Sequence, residues 1–157
     1  MAKKILVTTD SSSAAWDAIT YAICLAKRLE MEIVVVQVIN DAVYAELTGM
    51  VDNNLHEELE KNAVESLKSI CAYGEEEGVR VTPIVRFGNP SSEIVEVAIN
   101  DDDIMLVVMG STGKGTVERY MMGSCTEKVA HEVSRRLPCP LVITPTKARM
   151  SQARLEL

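Results

Sequence analysis

Five short runs of β-branched and other apolar residues recur along this chain, separated by stretches of helical period, and this alternation limits the fold to very few choices. "KILVTT" (4–9) leads into 13–29, where Ala15, Ala18, Ile19, Ala22, Ile23, Ala26 and Leu29 mark one helical face. "EIVVVQVI" (32–39) is the second run; residues 40–54 read as irregular. Leu59, Ala63, Leu67, Ile70 and Cys71 then trace a helix ending near Gly78. "VRVTPIVRF" (79–87) alternates but carries Pro83, which removes a ladder donor and places that strand at a sheet edge. Asn89 as N-cap and Pro90 at the first helical position start the next helix. "IMLVVM" (104–109), apolar throughout, suits a strand covered on both faces. A last helix from Ser124 carries Val129, Val133 and Leu137, and "PLVIT" (140–144) closes the pattern before a polar tail over 146–157. Strand and helix in strict alternation predict an α/β domain, a single open parallel sheet with right-handed crossovers and helices on both faces.

Charge and composition remove whole classes of function. The formal net charge of −7 argues against a general nucleic-acid or anionic-membrane surface, both of which rest on Lys/Arg-rich patches. No apolar run approaches the ~20 residues of a membrane span. "MAKKILVTTD" reaches an aspartate too soon to hold the apolar region of a signal peptide. Cys24, Cys71, Cys125 and Cys139 show no paired spacing and read as free thiols in a reducing compartment, so the expected location is the cytoplasm. His56 and His131 lie in no ligand-spaced motif, and no metal site is expected from side chains alone. The acidic runs at 75–77 and 101–103 read as solvated helix ends.

Four of the eight glycines fall in "GSTGKGTVERYMMGS" (110–124), directly after the most apolar run. Gly113-Lys114 resembles the end of a phosphate-binding P-loop, but Val108 and Gly115 stand where that motif needs glycine and Ser/Thr. The dinucleotide fingerprint fails as well, because the spacing of Gly110, Gly113 and Gly115 runs in reverse order. What remains is Gly110-x2-Gly113-x9-Gly123-Ser124. Ser124 and Glu127 form an S-x-x-E capping box, which puts a helix N-terminus, with its unpaired amides and partial positive charge, at this loop. Lys114 and Arg119 would help neutralise a polyphosphate there. If the first and fourth strands are neighbours where the strand order reverses, Asp10 and Gly110 face one crevice. Two readings stand on these residues alone: a phosphate site, or glycines that shape a strand-to-helix connection with both cations solvated.

The pattern G-x2-G-x9-G-[S/T] resembles the nucleotide-binding motif of the universal stress protein family, in its ATP-binding branch. "KILVTTDSS" is similar to the family's opening strand and aspartate, "GNPSSEIVEVA" to its third-helix entry, and "DIMLVVMGSTGKG" to its fourth strand and loop. "GSCTEKVAHEVSRRLPCPLVIT" is similar to its closing helix and strand. The resemblance implies a nucleotide-binding domain over 1–145, with strand order 3-2-1-4-5, followed by a tail over 146–157. It implies that the triphosphate lies on Gly110, Ser111, Thr112, Gly113, Lys114, Gly123, Ser124, Cys125 and Thr126, and the adenosine near Thr8, Asp10 and Val38. Mg²⁺ or Mn²⁺ would ride on the phosphates. The family often has proline where Thr8 stands, so the adenine floor differs here. The variable segment 40–54, with Tyr44, Met50 and Asp52, would fold over the nucleotide or form a surface loop. A homodimer through the final strand is implied, since "PCPLVIT" is an apolar edge that a partner chain would cover. In the tail, Met150, Ala153 and Leu157 would pack on a neighbour or fray. No catalytic base, arginine finger or Walker B acid is identifiable, so any ATP hydrolysis would be slow. The expected function is that of an ATP-dependent stress-response regulator with room for further protein partners. The alternative is a nucleotide-independent dimeric adaptor.

Overall fold

The computed structural model describes residues 2–49, 53–111 and 122–145. Five strands, β1 (Lys4–Thr9), β2 (Glu32–Ile39), β3 (Val81–Phe87), β4 (Ile104–Gly110) and β5 (Leu141–Thr144), form one sheet in the order β3-β2-β1-β4-β5. Every pairing is parallel. Among the described residues five helices accompany them: α1 (Ser13–Leu29), α2 (Asp41–Thr48), α3 (Asn53–Glu76), α4 (Pro90–Ile99) and α5 (Ser124–Glu132).

Alternation along the strands divides the core in two. Ile5, Val7, Ile33 and Val35 pack with Ile19 and Ile23 of α1 and Leu67 and Ile70 of α3. On the other face Leu6, Val34, Val36 and Val107 pack with Val95 of α4 and Val129 of α5. Helices therefore cover both faces, which is why the central strands carry apolar residues at successive positions. Pro83 sits on β3, an edge strand, as its missing donor requires. Asn89 caps α4 by accepting from Ser92 N at 3.2 Å, with Pro90 at the helix start.

The sequence-based expectation fails at several places. Residues 41–48 are helical, not irregular: Asn40 caps α2 through Val43 N at 3.4 Å, and Gly49 ends it at φ 65°. Ala42, Val43, Tyr44 and Glu46 are exposed, and these four positions offer periodicity no buried stripe to detect. Its signals are the two caps. The capping box at Ser124 does not form. Gly123 is the N-cap of α5 and Ser124 is already helical, so the Ser124 hydroxyl has passed the position from which it would cap. Helix α5 ends at Glu132, leaving Val133 43% exposed, and Leu137 is buried from the turn that follows. Leu29, the last residue of α1, is 55% exposed, off the buried face that the pattern assigned it. Met105 is 48% exposed, at the register shift where the pairing with β1 passes from Ile104 to Leu106. The aspartate run is not simply solvated: Asp101 accepts Lys4 Nζ at 2.8 Å and Asp103 accepts Lys3 Nζ at 3.1 Å, fastening the α4–β4 turn to β1. In the glutamate run, Glu77 lies 3.5 Å from Lys27 Nζ.

Candidate functional site

Ligands of open α/β sheets bind beyond the carboxyl ends of the strands, where the strand order reverses. The reversal here falls between β1 and β4, which are paired from Lys4↔Ile104 to Val7↔Val108. Asp10 leaves β1 and Gly110 ends β4, so the topology brings both to one crevice.

A seam of hydrogen bonds draws the two ends of the glycine segment together. Ser111 N donates to Thr144 O at 3.0 Å, fixing the exit of β4 to the end of β5. Gly123 N donates to Ser111 O at 2.7 Å, and the buried Thr126 Oγ1 donates to Gly110 O at 2.8 Å. Gly110, Ser111, Gly123, Ser124, Cys125 and Thr126 are thereby assembled at one point. Thr112, Gly113, Lys114 and Arg119, and likewise Met50 and Asp52 of the 40–54 segment and Met150, Ala153 and Leu157 of the tail, lie outside the described residues.

The first turn of α5 opens onto this point. Its N-cap is a glycine, and no side chain caps it among the described residues. The first intrahelical bond is Glu127 N to Gly123 O at 2.9 Å, so the amides of Ser124, Cys125 and Thr126 precede the helix's own ladder. Such amides, with the positive end of the helix dipole behind them, suit an anion. Neither described glycine is demanded by backbone sign. Gly123 has φ −58°, and Gly110 is the last residue of an extended strand. The absence of a side chain, not a left-handed turn, is what distinguishes these two positions.

Asp10 makes itself felt electrostatically across the crevice. Burial pushes the Cys125 thiol up to about 11, the Asp10 carboxylate adds to the rise, and Lys128 opposes it. Asp10 also shapes its own loop, since its Oδ1 accepts Ser12 N at 2.9 Å. Ser11 then takes a left-handed conformation at φ 67°, uncommon for a residue other than glycine. Ser12 caps α1 by accepting Ala15 N at 3.2 Å. Ser11 Oγ lies 2.8 Å from Ser66 Oγ of α3 and accepts from Gln37 Nε2 of β2 at 3.2 Å. The sequence reading missed Ser11, Ser12 and Thr144; the "DSSS" run was the available signal for the first two.

Thr8 and Val38 fall on the face of the sheet that carries α4 and α5. Thr8 follows Leu6 by two residues, and Val38 follows Val36 by two, and alternation returns each to its predecessor's side. Thr8 is in register with Val36, so Val38 stands one side-chain step beyond it, toward the carboxyl end. Val38 and Cys125 both pack against the core on that side. Among the described residues, no group of three His, Cys, Asp or Glu side chains could hold a metal ion, and no helix is long and apolar enough to cross a membrane.

A family model described as the universal stress protein family matches residues 1–145. The chain is similar to universal stress protein MJ0531 of Methanocaldococcus jannaschii, with 34% identity over 142 residues, covering 90% of this chain and 81% of that one. Among solved structures, hypothetical protein MJ0577 matches with TM-score 0.75 and 28% identity, covering 94% of this chain and 98% of that one. The universal stress protein from Archaeoglobus fulgidus solved in complex with dAMP shares the fold, with TM-score 0.62 and 19% identity, covering 90% and 96% of the two chains.

Proposed function

The chain belongs to the universal stress protein family, and we propose that it is an ATP-binding member, a nucleotide-dependent stress-response regulator that acts in the cytoplasm as a homodimer. The observation that carries this reading is the first turn of α5. Among the described residues no side chain caps its amides, its N-cap is a glycine, and it abuts Gly110 and Ser111 at the reversal point of the sheet. The donor set is made of backbone amides, which suits phosphate oxygens.

In this assignment the amides of Ser124, Cys125 and Thr126 hold the phosphates, and Gly110, Ser111 and Gly123 let them come close. Thr112, Gly113 and Lys114 complete the loop. The hydroxyl of Thr126 is engaged by Gly110 O, so Thr126 acts through its N–H and through the shape of the seam. Thr8, Val38 and Asp10 flank the nucleoside. Mg²⁺ or Mn²⁺ would be held by phosphate oxygens. Support for a nucleotide in general comes from the Archaeoglobus protein, which holds dAMP on the same fold. The dimer would form along β5, the four-residue strand that stands last in the sheet among the described residues. Residues 1–145 form the nucleotide-binding domain in this reading, with 146–157 a tail.

Gly123→Val places a branched side chain at the point where a phosphate must approach. It is expected to lower ATP affinity at least about tenfold, or ~1.4 kcal/mol, with the circular dichroism spectrum unchanged. A folded variant that binds ATP as the wild type does would remove Gly123 from the site and the reading with it.

A further inference from the structure

Between α4 and α5 runs a groove of about 590 Å³, separate from the glycine seam. Polar and charged residues line it together with Val95: Ser91 and Ser92 lie on the α4 side, and Lys128, His131 and Arg135 on the other. Small-molecule pockets are enclosed and mostly apolar, whereas here all three of the latter side chains are exposed.

The charge of the groove is opposite to that of the protein. Glu132, the carboxylate in its wall, is occupied by Arg136, whose Nε donates to it at 2.9 Å and whose Nη1 lies 3.4 Å from Glu96. One guanidinium thus serves two carboxylates, and Arg136 brings the groove no free positive charge. Lys128 and Arg135 have no carboxylate within ion-pair distance among the described residues. Two uncompensated cations thus share a groove on a chain of net charge −7, whose overall field repels anions. The first turn of α4, the positive end of its dipole, borders the same groove through Ser91 and Ser92.

The two cations stand in a row with His131, which lies 4.0 Å from Glu127, between them. Lys128, His131 and Arg135 succeed one another at intervals of three and four residues along α5 and the turn after it. A compact anion needs converging donors; a row in an open channel matches charge spread along an extended chain. We propose that this groove docks an acidic peptide segment of a partner protein, its carboxylates set against Lys128 and Arg135.

The test uses the full-length protein and a fluorescein-labelled octaglutamate peptide, followed by anisotropy at low ionic strength. Saturable binding is expected, weakened about tenfold by the exposed double substitution Lys128→Glu/Arg135→Glu and lost at about 0.5 M salt, where the screening length is only a few ångströms. Octaglutamine should not bind. Equal affinity for wild type and double variant would overturn the proposal, as would no saturable rise. Loss of peptide binding in Gly123→Val but not in the double variant would move the contact to the glycine seam and also overturn it. So would wild-type self-association that the double variant abolishes while the peptide fails to bind, because the occupant would then be a second copy of the chain.

Discussion

Thr126→Val isolates the bond that holds the glycine seam together. The change replaces a hydroxyl by a methyl of nearly the same shape, so the site, 4% exposed, gains no cavity. What it loses is the 2.8 Å bond to Gly110 O. A buried acceptor left without its donor costs about 1–3 kcal/mol, and because Gly110 is only half-buried, water recovers part of that. The expected destabilisation is about 1–2 kcal/mol, read from the midpoint of urea unfolding at unchanged slope. For a chain of 157 residues that corresponds to a melting temperature roughly 3–6 °C lower. Thr126→Ser keeps the donor and gives up a methyl, so it too loses stability, and stability alone does not separate the pair. Affinity does: Thr126→Ser should bind ATP as the wild type does, whereas Thr126→Val should bind it several-fold more weakly, because Gly110 is no longer tied to α5. A Thr126→Val protein as stable as wild type would show that the hydroxyl holds nothing.

Gly74 lies within α3 where a Cβ would overlap Val81 Cγ2 of β3 and come within 3.0 Å of Val79 O. Gly74→Ala gains about 1 kcal/mol of helix propensity yet should be less stable by ~1–2 kcal/mol, since overpacking against a strand costs more; a stabilised variant would contradict this. Asp10→Asn removes one of the two causes that raise the Cys125 thiol, so alkylation of that cysteine at pH 8–9 should become faster, with Cys125→Ser identifying the signal. An unchanged rate would separate Asp10 from the α5 terminus. The Lys4–Asp101 pair sets a pH dependence at both ends. The hydrogen bond from Lys4 holds Asp101 below its ordinary 3.8, so that contribution is present above about pH 4 and is lost as pH falls through the lowered value. Lys4 is raised above 10.5 by the same bond, so its contribution is present below that value and lost as pH rises through the raised one. Asp101→Asn should flatten the stability profile in both windows, and an identical profile would refute the pairing.

What the sequence made legible was whatever local chemistry decides. The β-branched runs, Pro83 at the edge and the Asn89–Pro90 helix start each follow from a residue's own dihedral and hydrogen-bonding limits, and the fold agrees with them. Helix α2 escaped because Ala42, Val43, Tyr44 and Glu46 lie exposed, and its caps, Asn40 and Gly49, were the available clue. The Ser124 box was misread by one residue: the bond from Gly123 N to Ser111 O sets where the chain enters α5, and that bond joins positions far apart in sequence. The tie from Thr126 to Gly110 is hidden for the same reason, being tertiary. The adjacency of β1 and β4 required the family resemblance, because periodicity says which segments are strands and not which of them meet.

The most direct test of the central claim is calorimetric titration of ATP into the nucleotide-stripped protein with Mg²⁺ present. A micromolar dissociation constant, about −8 kcal/mol, is expected, with heat that Gly123→Val diminishes. No detectable heat, together with no rise in melting temperature on adding ATP, would contradict it and leave the glycines as a strand-to-helix connection.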